Sequence, residues 1–141
     1  MTTKRFLTAW FTTTVVLFAL NGVFHGLVAA DFFDRNFAGL GDVTVKMADF
    51  NPLPIMVLEL LLAFSLTWIF SITGSENTTL RGALTLGGLF HLSAAATWNL
   101  ANMATFVHWP MQLAAADIAW HILMGIVAGW LIYKFGLGNK K

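Results

Sequence analysis

The 141-residue sequence contains no cysteine and only three prolines, and just 11% of its residues are charged. Without cysteine there is no disulfide framework, no thiolate metal site and no thiol nucleophile, and the redox compartment stays undetermined. Soluble domains carry roughly 25% charged residues, so the shortage of charge argues against a water-soluble fold. Eight Lys and Arg against seven Asp and Glu leave a net charge of +1. That is too little to neutralise a run of phosphates, so nucleic acid is excluded as a partner. What is abundant is apolar: 57% of residues are hydrophobic and the mean hydropathy is +0.72. The chain therefore reads as a polytopic membrane protein whose first partner is the lipid bilayer.

A hydrocarbon layer about 30 Å thick asks for roughly 20 apolar residues at 1.5 Å rise each. Four runs meet that requirement, at about residues 6–30, 53–73, 82–105 and 111–135, separated by polar or Pro-containing connections. The expected fold is all-α, an integral membrane four-helix bundle forming a single membrane domain over residues 1–141. Lys4, Arg5, Arg81, Lys134, Lys140 and Lys141 then fall on one side, against Arg35 and Lys46 on the other. By the positive-inside rule both termini are expected to face the cytoplasm. The first connection, with Asp31, Asp34, Asp42 and Asp49, faces outward and is the only one long enough to form a lid. A cleaved signal peptide is the rival reading of the first run. That run is longer than a signal core of about 7 to 15 residues, and it carries Asn21 and His25. The sequon Asn77-Thr78-Thr79 would lie on the cytoplasmic side, where no glycan is added.

The second and fourth spans repeat a pattern, with Pro52 seven residues before Glu59 and Pro110 seven before Asp117. The first and third share Phe24-His25 with Ala29-Ala30, and Phe90-His91 with Ala94 to Ala96. These matches point to two duplicated helical hairpins of one orientation. By depth, however, the counterpart of His25 is nearer Asn99 than His91. Small-xxx-small pairs, Gly22 with Gly26 and Gly125 with Gly129, are expected to bring backbones together. The second span lacks glycine and is expected to face lipid, or a second copy or larger complex, with one edge turned inward at Glu59.

Ionisable groups inside a span cost several kcal/mol unless paired, which makes each one a candidate functional residue. His25, Glu59, His91, Asp117 and His121 are of this kind, joined by Asn21, Asn99 and Asn102. Steps of three and four residues put each polar set on one helix face. Glu59, Asp117, His25 and Asn99 fall at a common depth of about 10 Å from the outer boundary. Two imidazoles with two carboxylates suit a divalent metal, so His25, Glu59, Asp117 and His121 are the candidate metal ligands. Asn21, His91, Asn99 and Asn102 are candidate contacts to a small polar ligand, with Trp98 and Trp120 as its walls. Three other readings stay open: hydrogen-bonded glue in which Asp117 pairs with Asn99 or Asn102 and Glu59 with His25, a haem held by His91 and His121, and a proton or solute pathway. The pathway reading is weakened by an inner half offering chiefly Thr8, Thr12, Ser71 and Thr85. Glu59 or Asp117 could act as a base if desolvated, but nothing identifies a substrate, so enzymatic activity stays open. His108, beside Trp109 at the outer interface, is expected to be solvated.

The string Asn99-Leu100-Ala101-Asn102-Met103-Ala104-Thr105, followed by Trp109-Pro110 and Asp117-Ile118-Ala119-Trp120, resembles the carboxyl-terminal half of an uncharacterised bacterial family of four-helix predicted membrane proteins, a domain of unknown function. There an (Asp or Asn)-Leu-x-Asn-x-Ala-Thr pattern ends the third helix and Trp-Pro opens the fourth ahead of Asp-x-x-Trp. The resemblance, strongest over residues 99–129, implies the topology and the Asn99, Asn102, Asp117 set. It does not extend to the histidines, and it carries no reaction with it.

Overall fold

The computed structural model describes residues 1–40, 51–73 and 78–137. Asp42, Lys46, Asp49, Asn77, Lys140 and Lys141, named above, lie outside the described residues. Five α-helices are present among the described residues: α1 Thr3–Val23, α2 Ala30–Ala38, α3 Leu53–Thr73, α4 Leu80–Thr105 and α5 Met111–Ile132. Single π-helical turns extend α1 over Phe24–Val28 and α5 over Tyr133–Leu137. No strand occurs among them.

Each start has a local cause. Thr79 Oγ1 accepts from the Gly82 N–H at the head of α4, and Asn51 Oδ1 accepts from the Leu53 N–H at the head of α3. Pro54 occupies the first turn of α3 and Pro110 sits just before α5, positions where the missing N–H is tolerated.

The helices do not close into the simple four-helix bundle expected. The connection after the first span folds into a fifth helix, α2, because its phenylalanines fall on a helical face: Phe33 is buried while Asp31, Asp34 and Arg35 are exposed. Moreover, α5 packs extensively on α4, α1 packs on both α3 and α5, and α3 barely touches α4. Three helices are long and apolar enough to cross a membrane: Thr3–Val28, Leu53–Thr73 and Met111–Leu137. The 26-residue α4 has the length, but its Ser, Thr, Asn and His content makes it less apolar, and it buries His91, Asn99 and Asn102 against the other helices.

Close approach of α4 and α5 explains three glycines. A Cβ on Gly87 or Gly125 would run into the backbone of the other, and one on Gly129 into the Ala83 carbonyl. The pair Gly22 and Gly26 behaves differently from expectation. A Cβ at either position meets nothing within 4 Å, so this stripe is not a helix contact among the described residues. As expected, α3 exposes Leu58, Leu61, Trp68 and Ile72 while burying Glu59.

The half of the molecule away from α2 is filled by Ala9, Leu17, Leu66, Phe70, Ala83, Met124, Ala128 and Ile132, all at most 1% exposed. Overpacking a close contact costs about 1–3 kcal/mol. Gly87→Ala and Gly125→Ala should therefore lower the unfolding midpoint in detergent, followed by circular dichroism, by that equivalent, whereas Gly22→Ala should leave it unchanged.

Candidate functional site

The polar side chains assemble from the hairpins α1/α3 and α4/α5 by one local rule. In the first, Asn21 Nδ2 donates to Glu59 Oε1 at 2.9 Å, and the Trp120 indole donates to Asn21 Oδ1 at 3.2 Å. In the second, Asn99 Nδ2 donates to Asp117 Oδ2 at 2.6 Å, and the Trp109 indole donates to Asn99 Oδ1 at 3.3 Å. Each hairpin thus uses an asparagine as a two-sided adaptor, its amide nitrogen on a carboxylate and its oxygen on an indole. The residues that correspond in geometry are Asn21 and Asn99, rather than His25 with either His91 or Asn99.

Asp117 is where the hairpins meet. Besides Asn99 from α4 it faces His121 Nδ1 at 3.4 Å on its own helix and His25 Nε2 at 3.7 Å from the end of α1. The π-helical turn at Phe24–Val28 shifts the register that brings His25 to this level, a frequent use of such turns at functional positions. Phe24 stacks on Trp120 at 4.0 Å and 9°, fixing that turn against α5. Both imidazoles bond backbone carbonyls through Nδ1, His25 to Asn21 at 3.1 Å and His121 to Asp117 at 2.9 Å. A carbonyl only accepts, so Nδ1 carries the proton in each ring.

Above Asp117 lies a cavity of about 410 Å³. Its floor is polar: His25, Asn99, Asn102 and Asp117. Its walls are chiefly aromatic, with Phe33 and Phe37 from α2, Trp98 from α4, and Phe106 and Trp109 from the turn that follows it. Leu40 after α2, Ile55 of α3 and Leu113 of α5 complete it, so the cavity is bordered by α2, α3, α4 and α5. Asn102 is 6% exposed, and its Nδ2 has no partner among the described residues.

A family described as "Predicted membrane protein (DUF2177)" matches residues 6–134. The chain belongs to this family. No curated protein and no solved structure matches it. The match covers all five helices except the first three residues of α1, so this DUF2177 protein carries both asparagine-to-acid units within the family region.

Of the residues expected to form a site, His25, Trp98, Asn99, Asn102 and Asp117 line the cavity. Asn21, Glu59, Trp120 and His121 lie in the layer that supports it. Trp120 is therefore a donor to Asn21 and not a wall. Glu59 pairs with Asn21 and not with His25. His91 stands apart: it is fully buried at the α4/α5 contact, and neither ring nitrogen has a partner among the described residues.

Among the described residues no group of three or more His, Asp or Glu side chains is arranged to hold a metal ion. Both imidazoles spend Nδ1 on carbonyls, and Glu59 is directed to Asn21. A haem between His91 and His121 does not fit either. A Cβ on Gly125 would already collide with Gly87 and the His91 Cβ, leaving no space for a macrocycle between those helices.

Sequence reasoning missed Phe33, Phe37, Phe106 and Trp109 as cavity walls. The signal for the first two was present, an i, i+4 pair of phenylalanines inside an otherwise polar connection.

Membrane hydrogen bonds average about 0.6 kcal/mol, but bonds to charged groups reach about 1.5–3 kcal/mol. The short, partly buried Asn99–Asp117 contact belongs to the second class. A double-mutant cycle with Asn99→Ala and Asp117→Ala, read from unfolding in detergent, should give a coupling of at least about 1.5 kcal/mol.

Proposed function

We propose that this protein is a membrane-embedded binding protein for a small amphipathic ligand, which enters from one face of the membrane and seats its polar end on Asp117. The observation that carries the reading is the position of Asp117. A carboxylate reached by side chains of three helices forms the floor of a cavity whose walls are aromatic. A group used only to hold helices together needs no adjoining space, and ligand sites pair apolar walls with a few convergent polar groups in just this size range of about 300–1,000 Å³. Asn99, Asn102 and His25 hold the polar end with Asp117, while Asn21, Glu59, His121 and Trp120 keep those groups in place.

The site is one-sided. Beyond it the apolar core from Leu17 to Ile132 fills the molecule, which favours binding over a through-going pathway. Lys4, Arg5, Arg81 and Lys134 all lie near helix ends remote from the cavity, whereas Arg35 is on α2. That distribution supports a cavity opening away from the cytoplasm of a bacterial inner membrane. The equivalent Asn21–Glu59 and Asn99–Asp117 units support a duplicated pair of hairpins.

Ile55→Trp places a larger ring in the cavity from α3 without touching the Asp117 network. A panel of water-soluble aromatic amines, alcohols and carboxylates is expected to raise the melting temperature of the detergent-purified protein in at least one class. Binding at a hundredfold excess over Kd contributes about 2.7 kcal/mol. The rise should be absent in Ile55→Trp. A panel without effect, or an equal rise in both proteins, would contradict the binding reading.

A further inference from the structure

The polar floor of the cavity has a specific imbalance. His25 donates its Nδ1 proton to the Asn21 carbonyl, so in the neutral ring Nε2 presents a lone pair. That lone pair lies 3.7 Å from Asp117 Oδ1, which also only accepts. The separation is beyond a direct hydrogen bond, and two acceptors facing each other attract a donor between them. The pair is reachable, since the His25 side chain is 33% exposed and that of Asp117 15%. No Lys or Arg lines the cavity among the described residues.

The walls match the same ligand. Phe37 lies 6.4 Å from Trp109 between ring centroids, and Phe106 lies 5.9 Å from it, so ring faces and edges surround the space above the notch. Ring faces attract cations within about 6 Å, and the rings also bury an apolar body. Exposed Asp31 and Asp34 on α2 outnumber Arg35, giving the lid a negative outer side. A metal ion would also answer two acceptors, but it would leave the aromatic volume unused. An anion would meet Asp117.

We infer that the ligand is a small primary or secondary organic ammonium ion, its N–H groups bridging Asp117 Oδ1 and His25 Nε2 and its apolar body lying among Phe33, Phe37, Trp98, Phe106 and Trp109. Hydrogen-bond lengths of about 2.9 Å to both atoms suit one ammonium nitrogen above a 3.7 Å gap. Asn102, whose amide nitrogen has no partner among the described residues, is placed to meet a hydroxyl or other acceptor on the ligand. A quaternary ammonium keeps the charge but lacks the N–H groups, and is excluded from the notch. The inference rests on the binding reading above and specifies its ligand.

Isothermal titration of the full-length protein in detergent with 2-phenylethylammonium, its neutral isostere 2-phenylethanol, and the N,N,N-trimethyl derivative tests it. The primary ammonium should bind at least tenfold more tightly than either of the others. Asp117→Asn should weaken it at least tenfold, and Ile55→Trp should abolish it. The comparison of three probes on the unaltered protein stands even if Asp117→Asn fails to fold. A discrimination of less than tenfold, or no binding by the ammonium, overturns the ligand class. If 2-phenylethanol binds equally and is blocked by Ile55→Trp, the cavity remains a binding site and only the ammonium assignment falls. Binding of all three unaffected by Ile55→Trp overturns both.

Discussion

A carboxyl group surrounded by hydrocarbon costs several kcal/mol unless other groups complete its hydrogen bonding, and in this chain that requirement falls on Asp117. It is met by Asn99 from α4 and His121 from α5, with His25 facing it from the end of α1. Meeting it fixes relative positions that the apolar surfaces alone leave open, because lipid tails are as apolar as leucine and give helices little reason to choose one neighbour over another. The glycine contact between α4 and α5 sets how close those two helices lie, and the asparagine-to-acid pairs set their register.

From that constraint the asymmetry of the molecule follows. Where the polar groups gather, a cavity lies between α2 and the ends of α3, α4 and α5. Where they are absent, Leu17, Leu66, Phe70, Met124 and Ile132 close the structure. A cavity at one end and a filled core at the other are what the proposed binding of a ligand from one face requires, and the family match leaves that chemistry to be read from the site itself.

Much of the site was legible in the sequence because membrane helices make polar residues conspicuous. The seven-residue spacing from Pro52 to Glu59 and from Pro110 to Asp117 identified both acids, and the steps from Asn99 to Asn102 placed them on one face. Depth counting brought Asn99 and Asp117 to the same level, where they bond. It brought His25 to that level too, where it faces Asp117, but the π-helical turn at Phe24–Val28 that carries it has no sign in regular spacing. The short helix α2 was hidden for a different reason: nine residues with three charges read as a connection, and only packing of Phe33 against the bundle makes them a helix. Gly22 and Gly26 show the converse error. A small-residue stripe permits close approach without requiring it, and the neighbouring helices settle elsewhere.

The central claim, that Asp117 sits beside an imidazole from a different helix, is tested most directly by ¹⁵N NMR of the full chain labelled at histidine, compared before and after Asp117→Asn. The account predicts that the ring nitrogens of His25 and His121 change shift while those of His91 and His108 stay in place. Unchanged His25 resonances would mean that the end of α1 does not reach α5, and the cavity floor described here would not exist.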